Sequence, residues 1–447
     1  MTLESKSFDV AVLGAGMGGI CTAARLAHAG YKTLLVERLA FLGGRSSALD
    51  YQGFTKTTGA IIVSGNSVIE DTFRDVGAEF GVRSVGARWR VNGQDHDWPV
   101  AEGLGRAMFA VSSDPAGVGR LLEAIGRAIQ WQAPTGSMSL REWVAQYTHD
   151  DRALEAFHPL VTALLCSTVD EVPASDVLAF IQNQALRPWD IALGPKGNPE
   201  LLRPLLDAIK RNGGEVRRNT EVLRILVEGN KVSGIVVRAR GQEQTISAKA
   251  VVSNMGPVAT VNLTGREHFD AAYLKALELV KPVPLYITVN MVSDEPLIDH
   301  PALVFPVGAK KLSAFMDPTV SSPEMAPPGK HMLHAWGAMC KPLNGPIDRD
   351  AEIQATLDEL KQLVPGAADK ASVLSIECFD EDWPTFRCVA SELPHRSSVV
   401  DLYNVGDGIR KPGHVGVELG AETARIVSQE IIERIRPTLP ASAATSY

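Results

Sequence analysis

Three glycines near the start of the chain have the spacing of a phosphate-binding turn. Gly14, Gly16 and Gly19 form a GxGxxG pattern between an apolar run and an alanine-rich segment with helical spacing. This is the strand–turn–helix context that the pattern requires. Gly16 lets a pyrophosphate approach the backbone, and the helix N-terminus offers it free N–H groups and a partial positive charge. Together with Gly18 in the same turn, these residues predict a dinucleotide site.

An acidic residue and a second glycine turn follow along the chain at spacings that suit binding of the same dinucleotide. Residues 31–37 read as a second strand that ends in Glu37, 18 residues after Gly19, where a carboxylate can bind ribose hydroxyls. A Gly-Gly-Arg turn comes next, and its arginine can fork onto pyrophosphate oxygens. The binding residues predicted in this stretch are Glu37, Arg38, Gly43, Gly44 and Arg45.

These motifs, taken in order, resemble the FAD-binding superfamily of amine oxidases and phytoene desaturases. The resemblance implies that FAD is the cofactor. It assigns further FAD contacts to Gly59, Val222, Gly406, Asp407, Gly416 and Val417. In this interpretation Asp407 contacts ribityl and phosphate oxygens, Val222 makes a main-chain contact at the adenine, and the helix starting at Gly416 directs its amides at the flavin.

The motifs and the resemblance together predict an α/β fold. A Rossmann-type FAD-binding domain, with a parallel sheet and a βαβ start, is joined to an interleaved α+β substrate domain with a mostly antiparallel sheet and a helical cap. Helical spacing across 112–185 predicts the cap, and apolar runs at 282–292 and 330–339 predict strands of the second sheet. The predicted boundaries are 1–85, 191–262 and 395–436 for the FAD-binding domain, 86–190 and 263–394 for the substrate domain, and 437–447 for a disordered tail.

Composition excludes several other classes of protein. The 447 residues include 44 basic and 52 acidic side chains, a net charge of −8, which gives no general attraction for nucleic acid. Five cysteines without a CxxC pair argue against a thiolate zinc site and a dithiol redox loop. With no secretion signal at the N-terminus, we expect a cytoplasmic location. The sequence contains no run of 18 apolar residues, so it predicts no transmembrane helix. Peripheral membrane contact and a homodimer stay open.

Three kinds of function share this architecture. The first dehydrogenates a C–C bond of a hydrophobic small molecule, cyclic or open-chain, by hydride transfer to flavin N5, with oxygen or a quinone as electron acceptor. The second oxidises amines, and the third is a non-redox isomerase or a Rab-escort-like binding protein. The intact Gly-Gly-Arg and Gly-Asp signatures argue against a relative that has lost its flavin, such as a Rab-escort-like protein, but they do not separate desaturation from isomerisation. Amine oxidases of the superfamily have a cage tyrosine after the glycine of the closing helix, where this chain has Val417. We therefore expect a desaturase.

Histidines are the remaining candidates for proton transfer or metal binding. His414 lies two residues before Gly416, and we predict that it is the catalytic group that handles the proton. His331 and His334 are separated by two residues on a predicted strand, which places them on opposite faces. No metal site is predicted.

Overall fold

The computed structural model describes residues 7–131, 136–165, 167–279, 285–339, 348–379, 393–409 and 411–438. The predicted tail lies outside these ranges from residue 439 onward. The strands are β1 Ser7–Leu13, β2 Thr33–Val36, β3 Ala48–Tyr51, β4 Phe54–Thr57, β5 Ile62–Gly65, β6 Arg83–Ser84, β7 Ala87–Val91, β8 Gln94–His96, β9 Asp190–Leu193, β10 Glu215–Arg217, β11 Thr220–Glu228, β12 Lys231–Ala239, β13 Gln242–Ser253, β14 Leu285–Ser293, β15 Leu303–Pro306, β16 Ala314–Met316, β17 His331–Met339, β18 Ala371–Phe379 and β19 Leu402–Asn404.

The helices vary from single turns to five turns. They are α1 Met17–His28, α2 Val68–Asp75, α3 Val100–Val111, α4 Pro115–Gln130, α5 Leu140–Val144, α6 Arg152–Glu155, α7 His158–Leu160, α8 Ala174–Leu186, α9 Asn198–Arg211, α10 Pro257–Thr264, α11 Ala271–Glu278, α12 Arg349–Leu363, α13 Gly366–Asp369 and α14 Gly416–Arg434. A π-helical turn, Val161–Leu165, continues α7.

The first large sheet carries the N-terminal motif. Its strand order is β10-β2-β1-β13-β12-β11, and β19 pairs in parallel with the end of β13. β1 aligns Leu13 with Val36 of β2 and with Ser253 of β13, and Ser253 is aligned in turn with Asn404 of β19. Because β2, β1, β13 and β19 are all parallel, their carboxyl ends meet at one edge of the sheet. Ligands of open α/β sheets bind at this kind of edge.

Two helices begin at the same edge and cross near their N-termini. A Cβ built on Gly18 of α1 would lie 3.2 Å from Gly420 O, and one built on Gly420 of α14 would lie 3.2 Å from Gly18 N. Any larger residue would push the helices apart. The two glycines therefore allow the N-termini of α1 and α14 to lie side by side.

The second large sheet has the order β18-β14-β17-β16-β15-β7-β8, and all of its pairings are antiparallel except β15 with β7. One face packs on α12 and α13 through residues such as Ile287, Val289 and Leu360. The helices between α3 and α8 pack on the β7, β15 and β16 part of the sheet. The α/β fold with a parallel first sheet and a mostly antiparallel second sheet is confirmed. The strands predicted at 282–292 and 330–339 correspond to β14 and β17, and residues 282–284 of the first prediction lie outside the described ranges.

Candidate cofactor and substrate site

The turn between β1 and α1 is shaped by close backbone contacts. Gly14 has φ +88°, which favours glycine, and a Cβ on Gly19 would overlap the carbonyl oxygen of Gly14. Gly16 differs, because its φ of −80° suits any residue and its Cβ would meet only the Asn254 side-chain nitrogen, at 2.7 Å. Helix α1 has no side-chain N-cap and no acid in its first turn. Its first N–H groups are therefore available to an anion.

The Gly-Gly-Arg turn is in backbone contact with the first turn. Gly43 N–H donates to Ala15 O at 2.7 Å, and a Cβ on Gly44 would lie 3.2 Å from the Cα of Gly16. Both glycines have positive φ, +108° at Gly43 and +56° at Gly44. The two glycine turns thus form a continuous cradle with no side chain between them.

Arg45 is fixed from two sides. A Cβ on Gly59 would lie 2.7 Å from Arg45 O, so the turn at Gly59 supports the arginine backbone. The guanidinium forms an ion pair with Asp407, which is nearly buried. Gly406, the residue before it, donates its N–H to Thr423 Oγ1 of α14 at 2.9 Å. A guanidinium has five N–H donors, so the pair with Asp407 leaves donors for a phosphate.

Glu37 is held at the rim of the cradle by backbone donors. Its Oε2 accepts from Ala15 N–H at 2.8 Å and its Oε1 accepts from Leu39 N–H at 2.9 Å. A carboxylate has about four acceptor positions, so both oxygens can still accept from ribose hydroxyls. Arg38 beside it is exposed.

Two further strands, β11 and β13, bring Val222 and Asn254 to this region. Thr220 N–H donates to the carbonyl of Glu37 at 2.9 Å, which brings the start of β11, and with it Val222, next to the acid. The pairing of β11 is irregular directly after Val222. Asn254 was not predicted as a site residue, although it directly follows β13 at the carboxyl edge of the first sheet. Its amide lies between the α1 turn and Gly406, 2.6 Å from where a Cβ of Gly406 would be.

The closing helix begins where the sequence predicts. Gly416, with φ +53°, is the first residue of α14, which has no side-chain N-cap. Val417 is partly buried against the core of the first sheet. His414 Nδ1 lies 2.8 Å from Glu418 Oε2, in the first turn of the helix. The loop is anchored from α8, where Asn183 Nδ2 donates to Gly413 O at 2.9 Å.

These features fit a flavin adenine dinucleotide. The ribose acid, the uncapped α1 and the glycine cradle suit the adenosine and pyrophosphate part, while the second uncapped helix starts beyond Arg45 and Asp407. Glu37 would hold the ribose, and Arg45 with the α1 amides would hold the pyrophosphate. The absence of Cβ atoms at Gly16 and Gly44 lets the two turns pack closely against each other and against Asn254, so that the first amides of α1 and the Gly-Gly-Arg turn lie side by side.

Comparison with known proteins gives the same result. The model of the flavin-containing amine oxidoreductase family matches residues 17–432. The chain belongs to this family. Its cofactor is FAD, and it is an oxidoreductase of the amine oxidase and phytoene desaturase superfamily.

Individual relatives of this flavoenzyme cover nearly its whole length. It is 24% identical over 466 residues to the 15-cis-phytoene desaturase of Capsicum annuum, covering 96% of this chain and 78% of that protein. An oxidoreductase structure from Methanosarcina mazei has a TM-score of 0.82 at 27% identity, covering 94% of this chain and all of that one. A putrescine oxidase structure has the same fold, with a TM-score of 0.70 at 16% identity and coverage of 96% and 100%.

A second group of polar side chains connects the second sheet to β4. We call Lys56, Thr288, Asn290, His334 and Glu377 the polar row. Lys56 of β4 forms an ion pair with Glu377 of β18, and Glu377 Oε2 accepts from Thr288 Oγ1 at 2.8 Å and from Asn290 Nδ2 at 3.2 Å. His334 Nδ1 lies 2.8 Å from Asn290 Oδ1. Burial lowers the pKa of His334 to about 4, so the ring is neutral at pH 7.

His331 and His334 lie on opposite faces of β17, as predicted. His331 Nδ1 is 3.2 Å from Thr319 Oγ1, whereas His334 contacts Asn290. Among the described residues, no group of three or more histidine, cysteine, aspartate or glutamate side chains is arranged to hold a metal ion. Within the same ranges, none of the helices combines the length and the apolar character needed to cross a membrane.

Proposed function

We propose that this flavoenzyme dehydrogenates a C–C single bond of a hydrophobic substrate to a C=C bond. The observation that carries the proposal is Val417 in the first turn of α14. An amine gains from aromatic faces beside its nitrogen, whereas valine offers only an apolar surface. The similarity to a phytoene desaturase along 96% of the chain supports the same class of reaction.

The cofactor contacts in this proposal are the ones predicted from the sequence. Glu37 binds the ribose, the amides after Gly16 and the free donors of Arg45 bind the pyrophosphate, and Asp407 contacts the ribityl chain. Each of these groups lies at the carboxyl edge of the first sheet, and the contacts between the two glycine turns support their use as one site.

His414 is the proposed base. Bound FAD would supply the hydride acceptor, so that one hydrogen of the CH–CH unit leaves with its electron pair to the flavin and the other leaves as a proton. Glu418 Oε2 lies 2.8 Å from His414 Nδ1, which leaves Nε2 to take that proton. A base oriented by a carboxylate is the usual arrangement for such a step. Oxygen or a quinone would then accept the electrons.

The test is anaerobic bleaching of the flavin with polyenes, cyclic ketones and amines. We expect bleaching by a polyene or a cyclic ketone and none by primary or secondary amines. His414→Ala should slow bleaching by about 10²-fold or more, because single general bases contribute about that much.

His395→Ala is the matched control. His395 Nε2 lies 2.9 Å from Glu430 Oε2, so it forms the same kind of pair farther along α14. We expect its rate to stay unchanged. Rapid bleaching by amines would replace the proposal with amine oxidation, and equal rates in the two histidine variants would leave His414 with a structural role.

A further inference from the structure

The polar row is unusual because the sheet face that carries most of it is buried. Strand β14 alternates, so Ile287 and Val289 pack toward α12 while Thr288 and Asn290 lie on the other face. That face is not open to water, because Thr288 and Asn290 are fully buried and His334 is 1% exposed. Buried polar groups are costly unless they are hydrogen-bonded.

Partners along the row fix the protonation of its last member. The Glu377 carboxylate, which pairs with Lys56, can only accept, so the Asn290 amide must direct Nδ2 toward it. Asn290 Oδ1 then faces His334 and accepts from Nδ1–H at 2.8 Å. With the proton on Nδ1 of a neutral ring, His334 Nε2 is a bare acceptor.

That acceptor has no partner within the described part of the chain. His334 Nε2 is buried and makes no hydrogen bond. Its surroundings are apolar or weakly polar: Met316 of β16 is directly opposite in the strand pairing, and the Trp336 ring lies 5.3 Å away. Leaving such an acceptor unpaired costs about 1–3 kcal/mol, a cost that a ligand donor would remove.

One end of the row is connected to the proposed cofactor site. Lys56 belongs to β4, and three residues later the same segment reaches Gly59, whose backbone contacts Arg45. The Lys56 end of the row therefore lies close along the chain to a segment that contacts Arg45. A substrate on the second sheet near the flavin would meet His334 from this side.

We propose that His334 Nε2 is a specificity-determining acceptor for a hydroxyl group on an otherwise hydrophobic substrate. Asn290, Glu377 and Lys56 are positioning residues, because they fix the tautomer of the ring rather than touch the substrate. The proposal rests on the proposed function and deepens it: the molecule that is dehydrogenated carries one hydrogen-bond donor at a distance from the reacting C–C bond.

Probe binding to the FAD-loaded protein tests this without any turnover. Cyclohexanol, methylcyclohexane and cyclohexylamine are similar in size and differ in the hydrogen-bond donor that they carry: a hydroxyl group, no donor and an amino group. Each is titrated into protein labelled with ¹⁵N-histidine, and the ring nitrogens of His334 are followed by NMR. We expect cyclohexanol to shift Nε2 in a saturable way and methylcyclohexane to leave it unchanged. An unshifted Nε2 with cyclohexanol, or a response to the amine alone, would overturn the proposal.

Variants separate recognition from structure. His334→Phe keeps a ring but removes the acceptor, and should weaken cyclohexanol binding about tenfold while methylcyclohexane binding stays within about twofold. His331→Phe, on the opposite face of the same strand, is the matched control and should change neither. Equal losses for both probes in His334→Phe would mean a packing role only.

Glu377→Gln tests the positioning residues. A glutamine can accept or donate, so the Asn290 amide is no longer held in one orientation, and His334 should become a mixture of Nδ1–H and Nε2–H tautomers in the ¹⁵N spectrum. A spectrum with only the Nδ1–H tautomer would contradict the role given to Glu377. These readouts do not involve flavin reduction, so they can fail while the desaturase proposal stands, and the reverse.

Discussion

Replacing Gly16 with alanine should separate cofactor binding from folding. The backbone of Gly16, with φ −80°, accepts alanine without strain. The new Cβ would meet only the end of the Asn254 side chain, at 2.7 Å, and that amide can move aside. We therefore expect the free energy of unfolding of the apoprotein to change by less than about 1 kcal/mol.

We expect the substitution to weaken FAD binding instead. The added methyl displaces the Asn254 amide, which lies against the turn that presents the first amides of α1, and we expect this shift to cost at least one hydrogen bond from these amides to a charged oxygen. Such bonds contribute about 1.5–3 kcal/mol, which corresponds to a rise in Kd of about tenfold to a hundredfold. Helix α1 has no side-chain cap that could replace the lost contact.

The assay is a calorimetric titration of apoprotein with FAD, together with urea unfolding of the same apoprotein. Gly119→Ala is the control, since a Cβ at Gly119, within α4, would meet nothing within 4 Å. It should leave the Kd unchanged. An unaltered Kd in Gly16→Ala would refute the placement of the pyrophosphate, and an unfolded apoprotein would refute the contact argument.

Three further outcomes are expected. Gly19→Ala should lower the free energy of unfolding by about 3 kcal/mol or more in urea titrations, because its Cβ would overlap the Gly14 carbonyl. Between pH 6.5 and pH 4, the free energy of unfolding of the wild type should fall by about 3 kcal/mol more than that of His334→Phe. The reason is that the pKa of His334 is near 6.5 in the unfolded chain and about 4 in the folded protein, so the unfolded state binds the proton first and acid favours unfolding. Acid precipitation should leave the flavin in the supernatant, because the Cys378 side chain packs on the α12 face of the sheet and burial raises its pKa; a yellow pellet would contradict noncovalent attachment.

The cofactor half was predictable because its signals are local. The two glycine turns and Glu37 lie within about 30 residues of one another, and each has a backbone reason for its residue type. Helix starts are also readable where the sequence has a local signal: Asp348 caps α12 through a hydrogen bond from Ala351 N–H, and Pro199 is accepted in the first turn of α9.

The polar row was not predictable because its members are far apart in the chain. Lys56 and Glu377 are separated by 321 residues, and Thr288 and Asn290 in an apolar strand read as an ordinary face toward water. His334 was considered only as a metal ligand, with His331. The period of two did assign the faces correctly, and the missing information was that both faces are buried.

In these proposals, backbone groups hold the cofactor and side chains select the substrate, and this difference has a consequence for specificity. The close packing at Gly16, Gly43 and Gly44 depends on the absence of side chains, so a change there should alter cofactor binding directly. In the proposal above, the second sheet would contact the substrate through side chains such as His334, which can change while the strands keep their pairing. Substitutions on that face should therefore alter substrate preference at constant flavin content. This separation explains physically how one flavin fold can act on chemically different substrates.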